Sequence, residues 1–236
     1  MNNTAHDSWA EVYDDIYREN YGSSYQRLTR ITLAAIRAQT DPPARIVDFG
    51  AGTGRLSLPL ASEGYSVTAV EPSGGMVERL KAQDPESKIA TRQCLIQDFN
   101  PNGDFDLALC LFTVLLYLTD WDSLEKSLRI AYDSLRPGGK LLLDIPMQVA
   151  FKSQNKTTAR MERRVTVSHL ENGLYNYIED TVIDGRNFHD SFPIRHWPQA
   201  EVLEVLHGLG FEDPIHQHQI QGAGSNYFVF RKNSQI

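Results

Sequence analysis

The sequence predicts an α/β protein with a doubly wound, mostly parallel sheet, N-terminal helices and an antiparallel β insertion. Two observations support this fold class. Short apolar runs and helical patterns alternate over residues 45–144, as expected of a parallel sheet with helices on both faces. After Pro146 the pattern changes, because residues 160–185 alternate apolar and polar positions in the manner of paired antiparallel strands.

Two helices are predicted near the N-terminus. Trp9, Val12 and Ile16 recur at helical spacing and predict an amphipathic helix, which Gly22 is expected to end or bend. A second helix is predicted over residues 23–39, and Asp41-Pro42-Pro43 is expected to end it.

Strands and helices then alternate through the central part of the chain. A capping-box pattern at Asp122 and Glu125 begins the last of these helices, and the turn Pro137-Gly138-Gly139 ends it. The predicted strands cover residues 45–49, 66–70, 91–96, 106–111 and 140–144, and the helices run to residue 62, over 73–83 and over 122–135.

The C-terminal third begins with hairpin signals. Asn172-Gly173 and Asp184-Gly185 are residue pairs typical of tight turns, so an antiparallel β insertion is predicted around them. A helix over residues 199–207 and two strands, at about 211–219 and 226–231, are expected to complete the central sheet.

The composition of the 236 residues disfavours several classes of protein. The net charge is −7 and no long Lys/Arg cluster occurs, which disfavours a nucleic-acid partner. The polar N-terminus lacks the apolar core of a signal peptide, and the longest apolar stretch, 107–118, is too short to cross a bilayer. We therefore predict a cytoplasmic protein with no membrane partner. Cys94 and Cys110 are expected in buried strands, and no Cys/His spacing predicts a metal site.

The most informative segment reads Ile-Val-Asp-Phe-Gly-Ala-Gly-Thr-Gly. An apolar strand ends in an acid and turns on Gly50, Gly52 and Gly54, which allow a ligand to lie against bare backbone. The next strand ends in Glu71, about 20 residues further on, the offset at which an acid binds ribose hydroxyls. The dinucleotide fingerprint fails, because Arg55 stands where its third glycine is required, and this disfavours hydride transfer.

This motif resembles the first motif of class I S-adenosylmethionine-dependent methyltransferases, hydrophobic-hydrophobic-Asp-x-Gly-x-Gly-x-Gly. Further resemblances follow in the family's order at Glu71-Pro72-Ser73, at Gln97-Asp98-Phe99, and over residues 104–109 and 135–141. The resemblance implies a Rossmann-like, seven-stranded sheet of the methyltransferase type. It also implies S-adenosyl-L-methionine as the cofactor and methyl transfer as the activity.

The resemblance implies roles for residues around the glycine turn. Gly50 and Gly52 would let the backbone approach the methionine part of the cofactor, and Gly54 would permit close helix packing. Asp48 would orient the turn and reach the cofactor's ammonium group. Glu71 would accept hydrogen bonds from both ribose hydroxyls; the alternative is an acid that interacts with a helix dipole.

Residues after the second and third strands are implied to hold the adenine. Asp98 would accept from the adenine amino group, with Phe99 beside the ring, or else Asp98 is only a turn residue. Met76 would pack on the adenine face, with core packing as the alternative. The predicted cofactor-binding residues are Asp48, Gly50, Ala51, Gly52, Gly54, Glu71, Pro72, Met76, Gln97, Asp98, Phe99, Leu111, Tyr13 and Tyr25.

The segment Ala-Glu-Val-Tyr-Asp-Asp-Ile-Tyr at residues 10–17 resembles the start of small-molecule methyltransferases, including amino-sugar and glycine N-methyltransferases. The resemblance implies that the N-terminal helices cover the site. Tyr13 and Tyr25 are the tyrosines chosen to line it, with core packing as the alternative. One domain is predicted, with a helical lid at 1–40, a cofactor-binding core at 41–146, the β insertion at 147–197, and a helix and two strands at 198–236.

The acceptor is expected to be a soluble small molecule, with the methylated atom (N, O or C) left open. After the fourth strand the sequence lacks the Asn/Asp-Pro-Pro-aromatic motif of enzymes that methylate adenine or glutamine. His169, His189 and His196 are candidate bases, but nothing places them near an acceptor, so no catalytic residue is assigned. The alternatives are a cofactor-binding protein without catalysis, whose β insertion supplies edges for a homodimer, and a nucleotide-dependent oxidoreductase.

Overall fold

A computed structural model describes residues 4–216, 220 and 224–234 of the chain. Within these residues the strands are β1 (Arg45–Phe49), β2 (Ser66–Val70), β3 (Ala90–Arg92), β4 (Phe105–Cys110), β5 (Leu135–Pro146), β6 (Gln154–Thr157), β7 (Met161–His169), β8 (Leu174–Ile183), β9 (Arg186–Arg195), β10 (Ile215–His216) and β11 (Ser225–Arg231). The α-helices are α1 (Tyr13–Tyr21), α2 (Ser23–Arg37), α3 (Ser57–Ser62), α4 (Gly74–Gln83), α5 (Trp121–Ser134) and α6 (Gln199–Leu209). Short 3₁₀ turns lie at Asp7–Val12, Ile96–Asp98, Val114–Tyr117 and Gln148–Ala150.

The central sheet has the strand order β10-β11-β5-β4-β1-β2-β3 within the described residues, which confirms the predicted fold class. β1 runs parallel to both β2 and β4, whereas β11 runs antiparallel to β5 and β10. The strand order reverses beside β1, because β2 pairs on one side of it and β4 on the other. Ligands bind at the carboxyl ends of strands that flank such a reversal.

Helices bury both faces of the central sheet. Val47 and Phe49 of β1 belong to an apolar cluster that also contains residues of α5 and α6. Ile46 belongs to a second cluster, with residues of α2 and α3. Successive side chains of a strand point to opposite faces, so this strand is apolar throughout except for its exposed first residue and Asp48. Burial on both faces fixes the strand end from which the glycine turn begins.

The β insertion is a second sheet of four antiparallel strands, β6 to β9 in sequence order. The turns at Asn172-Gly173 and Asp184-Gly185 connect its strands as predicted, with positive φ at all four residues. Arg163 and Glu179 are buried in this sheet and form an ion pair, with 2.7 Å between Nε and Oε1.

The N-terminal segment contacts both sheets. The Asp7 carboxylate accepts a hydrogen bond from Ser73 Oγ (2.5 Å) at the start of α4. On the other side, Trp9 Nε1 donates to Asp190 Oδ2 of β9 (3.2 Å). The chain bends between α1 and α2 at Gly22 (φ 53°, ψ −133°), as predicted.

The third strand is shorter than predicted. β3 ends at Arg92 because its neighbour β2 ends opposite it, at Val70. The residues that follow leave the edge of the sheet, so Cys94 is half-buried outside a strand, contrary to the prediction. Their departure from the sheet brings Leu95, Ile96 and Gln97 towards the strand ends.

The last helix of the core begins earlier than predicted. Asp120, not Asp122, is its N-cap, because Asp120 has extended backbone angles and its carboxylate accepts from the Ser123 N–H (2.8 Å). The strand after it also begins early, at Leu135, because the Pro-Gly-Gly turn forms an irregular start to β5. Of the strand predicted at 211–219, the structure describes β10, and residues 217–219 lie outside the described part.

No helix in the described part of the chain is both long and apolar enough to span a membrane. The described residues also contain no group of three or more His, Cys, Asp or Glu side chains arranged to hold a metal ion. Cys110 is buried in β4, as predicted, and burial raises the pKa of its thiol.

Candidate active site

A cavity of about 320 Å³ lies at the carboxyl ends of β1, β2 and β4. One side is the glycine-turn wall, which consists of the cavity-lining residues among 48–56 and 71–76. A second group of lining residues forms the N-terminal wall. It consists of Thr4, Ala5, His6, Tyr13, Tyr117, Phe192 and Pro193. The lining also includes residues 95–97, the loop that follows β4, Tyr25 and Ser123.

The glycine turn follows β1 directly. Gly50 has φ 72° and its N–H donates to the Val70 carbonyl (2.8 Å), so the turn is joined to the end of β2. A Cβ at Gly50 would lie 2.6 Å from Val114 Cγ2, closer than packing allows. Gly52 has φ 55°, and nothing lies within 4 Å of the position of its missing Cβ. The first glycine is therefore required by packing, and the second leaves bare backbone beside the cavity.

Glu71 supports the glycine turn from the end of β2. Its Oε2 accepts from the Gly52 N–H (2.9 Å) and its Oε1 accepts from the Ser73 N–H (2.9 Å). The side chain is 7% exposed, and burial raises the pKa of its carboxyl group. Each carboxylate oxygen can accept a further hydrogen bond, so the group can hold a ligand and the turn together.

Two buried aspartates support the loops on either side of the cavity. Ser57 Oγ donates to Asp48 Oδ2 (2.6 Å), which joins β1 to α3. The Thr113 N–H donates to Asp144 Oδ1 (3.0 Å) and holds a loop in which Phe112 and Thr113 both have positive φ. Burial raises the pKa of each of these aspartates to about 6.

His6 is the buried titratable group of the N-terminal wall. Its Nε2 lies 2.7 Å from Tyr117 Oη, and its backbone N–H donates to Asp190 Oδ2 (2.7 Å). Its ring packs edge-on against Phe192, with 5.0 Å between the centroids. Burial lowers the pKa of His6 to about 4, so the imidazole is neutral at physiological pH. The Nδ1 atom is buried and has no hydrogen-bond partner in the described part of the chain.

The cavity brings together all the predicted cofactor-binding residues except three. Gly54 lies outside it, and a Cβ there would meet Leu58 at 3.0 Å, so this glycine permits close packing of the helix that follows. Phe99 packs edge-on against Phe49 in the core, 5.6 Å between centroids. Asp98 is exposed, because the 3₁₀ turn places its neighbours Ile96 and Gln97 on the cavity instead.

The candidate histidines do not line this cavity. His189 is exposed on β9 and its Nδ1 lies 2.7 Å from Asp180 Oδ1. His169 and His196 pack against aromatic rings of the insertion region, at 5.1 Å from Tyr175 and 5.3 Å from Phe151.

Known proteins share this architecture. Residues 46–139 match a family model described as a methyltransferase domain. YqeM of Bacillus subtilis, a putative methyltransferase, is 23% identical over 86% of this chain and 85% of its own. An S-adenosylmethionine-dependent methyltransferase from Clostridium acetobutylicum superposes with a TM-score of 0.78 at 18% identity, covering 94% of this chain and 98% of its own. CalS10 from Micromonospora echinaspora is an amino pentose methyltransferase solved with S-adenosylmethionine bound. It superposes with a TM-score of 0.75 at 20% identity, covering 94% of this chain and 97% of its own.

The chain carries a methyltransferase domain over residues 46–139 and has the fold of S-adenosylmethionine-dependent methyltransferases. The family resemblance, the enzyme class and the cofactor that the motifs predict are thereby confirmed. The residues of this methyltransferase's cavity also fit the cofactor. Gly52 offers open backbone, Glu71 has free acceptor capacity, and Met76 supplies an apolar surface on the same wall.

Sequence reasoning missed part of the methyltransferase's cavity. Arg55 lines it, with its guanidinium 4.5 Å from the centroid of the Phe112 ring and Nη1 donating to Thr29 Oγ1 (3.1 Å). Its position directly after the glycine motif is a signal that could have identified it. His6, Tyr117 and Phe192 carry no such signal, because three distant parts of the chain supply them.

Proposed function

We propose that this methyltransferase acts on a soluble small molecule, with the methylated atom undetermined among N, O and C. The observation that carries the proposal is that one cavity extends from the glycine-turn wall to the N-terminal wall. The resemblance of the glycine turn assigns the first wall to the cofactor, which leaves the second wall for the acceptor. A pocket enclosed by aromatic side chains with a few polar atoms suits a small molecule.

If the glycine-turn wall holds the cofactor, individual residues of that wall can be proposed as its contacts. Bound there, S-adenosylmethionine supplies an electrophilic methyl group on a sulfonium. We infer that Glu71 accepts from the ribose hydroxyls while it keeps its bonds to the glycine turn. Arg55 pairs with the cofactor's carboxylate, since it is a cation on the same wall. Gln97 faces the adenine from the loop after β3, with exposed Asp98 behind it.

The His6–Tyr117 pair positions the acceptor. The hydroxyl and the neutral imidazole each carry one proton, and their mutual bond uses only one of them. When the imidazole proton is on Nε2, it is donated to Tyr117 Oη and the Tyr117 hydroxyl proton is free for a ligand, whereas in the other tautomer the free proton is on the buried Nδ1. With a pKa near 4, His6 is a weak base at neutral pH, so its task is orientation rather than proton removal. An acceptor that arrives with its lone pair free, such as a neutral amine, needs no stronger base.

Orientation can supply much of the rate enhancement of this reaction. With S-adenosylmethionine bound, the walls would hold the acceptor's lone pair in line with the methyl group, which would leave its sulfur as the new bond forms, and a methylated amine would then lose its proton to water. Holding the two reactants in near-attack geometry is worth up to ~7–11 kcal/mol of the barrier. We further propose that the N-terminal helices act as a lid over both ligands. A homodimer through the insertion and a cytoplasmic location stay predictions.

The proposal is tested by calorimetry followed by a transfer screen. We expect S-adenosylhomocysteine to bind with one-to-one stoichiometry and NAD to give no heat. Protein with methyl-labelled S-adenosylmethionine is then incubated with amines, amino sugars, phenols and carboxylic acids, and label transfer is counted. Transfer to at least one of these classes is expected. Binding of S-adenosylhomocysteine with no transfer to any of them would contradict a small-molecule acceptor.

A further inference from the structure

A second concave site lies behind the glycine turn, between the N-terminal helices and helices α3 and α4. It is a groove of about 510 Å³. We call it the arginine groove, because its lining includes Arg18, Arg30, Arg37, Arg55 and Arg79. The chain as a whole is acidic, with a net charge of −7, so these five cations lie on a protein of the opposite net charge.

Three of the five guanidinium groups form no ion pair within the described residues, although the charge of Arg55 also acts on the buried Asp48 and Asp144. Arg18 forms an ion pair with Asp15, and Arg37 forms one with Glu63. Within the described residues, the other three groove arginines make no ion pair. The acid that lines the groove, Asp14, accepts a hydrogen bond from Thr53 Oγ1 (2.9 Å). The groove therefore carries an excess of positive charge.

Arg79 provides a second, independent observation. It lies on α4, and its Nε–H is buried without a hydrogen-bond partner in the described part of the chain. A buried donor of a charged group is costly to leave unpaired. Arg79 also lines the groove, so an anion bound there would lie beside this cationic side chain.

We propose that the arginine groove binds a ligand of the diphosphate class, an oxyanion with two linked phosphoryl groups. The unpaired cations come from two elements, Arg30 from α2 and Arg79 from α4, and Arg55 of the glycine turn lies between them and the active-site cavity. A groove of about 510 Å³ is large for a single phosphate, and guanidinium groups bind phosphoryl oxygens in pairs. The ligand is either free pyrophosphate or the diphosphate part of a nucleotide.

The groove and the active-site cavity share a wall. Tyr25, Thr53 and Arg55 line both spaces. A diphosphate in the groove would fix Arg55 and tie the N-terminal helices to the core, and both effects favour a closed cofactor cavity. Binding at the two sites is therefore coupled, and the coupling must be reciprocal. Occupation of the groove does not depend on which acceptor is methylated.

The test is calorimetry of the full chain with inorganic pyrophosphate at fixed ionic strength. We expect saturable one-to-one binding that the double variant Arg30→Gln/Arg79→Gln weakens by at least tenfold. The control is the double variant Lys126→Gln/Arg129→Gln, which also removes two positive charges, from the exposed face of α5. Equal weakening by the control, or heat that does not saturate, would show general surface charge and overturn the proposal. The double variant should bind S-adenosylhomocysteine alone as the unmodified chain does, which verifies its fold.

Two further titrations distinguish free diphosphate from a nucleotide as the ligand and test the coupling between the groove and the cofactor cavity. ATP is titrated into protein saturated with S-adenosylhomocysteine, so that adenosine cannot occupy the cofactor cavity. Tighter binding than pyrophosphate assigns the groove to a nucleotide, and weaker binding assigns it to free diphosphate. S-adenosylhomocysteine should bind about fivefold more tightly when pyrophosphate is present, and unchanged affinity would overturn the coupling. If S-adenosylhomocysteine does not bind at all, the proposed function fails while the pyrophosphate titration still tests the groove.

Discussion

The two walls of the active-site cavity are built from very different lengths of chain. The glycine-turn wall comes from residues 48–76, a single strand–turn–helix–strand unit. The N-terminal wall combines residues 4–13, Tyr117 and residues 192–193, which only the folded chain brings together. In the first wall, backbone N–H groups of the glycine turn donate to the Val70 carbonyl and to the Glu71 carboxylate, whereas in the second wall the side chains of His6 and Tyr117 bond to each other. We therefore expect substitutions in the first wall to affect the cofactor and those in the second to affect the acceptor.

The sharpest test of this difference is a pair of glycine substitutions. Gly50→Ala places a Cβ 2.6 Å from Val114 Cγ2 at positive φ, and we expect it to lower the free energy of unfolding by about 2–4 kcal/mol. Gly52→Ala meets nothing within 4 Å, so it should cost the unliganded fold only about 1 kcal/mol. Its effect should instead appear as cofactor affinity weakened by about 1–3 kcal/mol, because the ligand lies against this backbone. Chemical denaturation and calorimetry separate the two effects, and equal stability losses in both variants would contradict the distinction.

Glu71 should show the next largest effect. Glu71→Ala removes the acceptor for the ribose hydroxyls together with the support of the Gly52 and Ser73 N–H groups. We expect cofactor affinity to fall by ~1.5–3 kcal/mol, and Glu71→Gln, which keeps one carbonyl oxygen, to fall by less. Calorimetry with S-adenosylhomocysteine measures both. Unchanged affinity in the alanine variant would remove Glu71 from the cofactor site.

Buried Asp48 makes the stability of the first wall depend on pH. Burial raises its pKa to about 6 in the folded state, above the ordinary value, so the folded state binds a proton more readily than the unfolded state. This group's contribution to stability therefore falls as the pH rises from about 4 to 6. Asp48→Asn keeps an acceptor for Ser57 Oγ and should be more stable than the unmodified chain by about 1–3 kcal/mol at pH 7.

The stability gained by Asp48→Asn should be about half as large at pH 5 as at pH 7. The gain builds up as the pH rises from about 4 to 6, and pH 5 is the middle of that interval. Urea unfolding at the two pH values measures it. Glu125→Gln, on the exposed face of α5, is the control and should show no comparable change. An advantage of Asp48→Asn that is the same at both pH values would exclude Asp48 as its source.

The smallest expected effect tests the N-terminal wall. Tyr117→Phe removes the hydroxyl that pairs with His6 Nε2. We expect the KM for the acceptor to rise about 2- to 12-fold, the equivalent of one hydrogen bond, with the dissociation constant of S-adenosylhomocysteine unchanged. Tyr21→Phe, outside the cavity and exposed, is the matched control. A weaker cofactor with an unchanged acceptor KM would reverse the assignment of the two walls.

The contrast between the walls also explains what the sequence could predict. The pattern from Ile46 to Gly54 predicts a strand and a turn because the backbone itself requires glycine there, and the structure has both. The sequence predicts the loop after β3 at the site, and Gln97 of this loop lines the cavity, but Asp98 is exposed because β3 ends early and a 3₁₀ turn follows. His6 could not be predicted, since its burial depends on contacts with Tyr117 and Phe192, more than a hundred residues away. A sequence shows where the local backbone requires glycine, whereas it does not show which side chains from distant parts of the chain meet in the folded protein.

The attachment of residues 4–21 has a consequence for how fast ligands leave. Asp7 is bonded to Ser73, Asp14 to Thr53 and Trp9 to Asp190, so this segment is fastened to three separate elements. A swing about Gly22 must break these bonds together. Ligand exchange should accordingly occur in rare, all-or-none openings, and the residence time of a bound molecule would be set by this short segment rather than by the contacts the molecule makes.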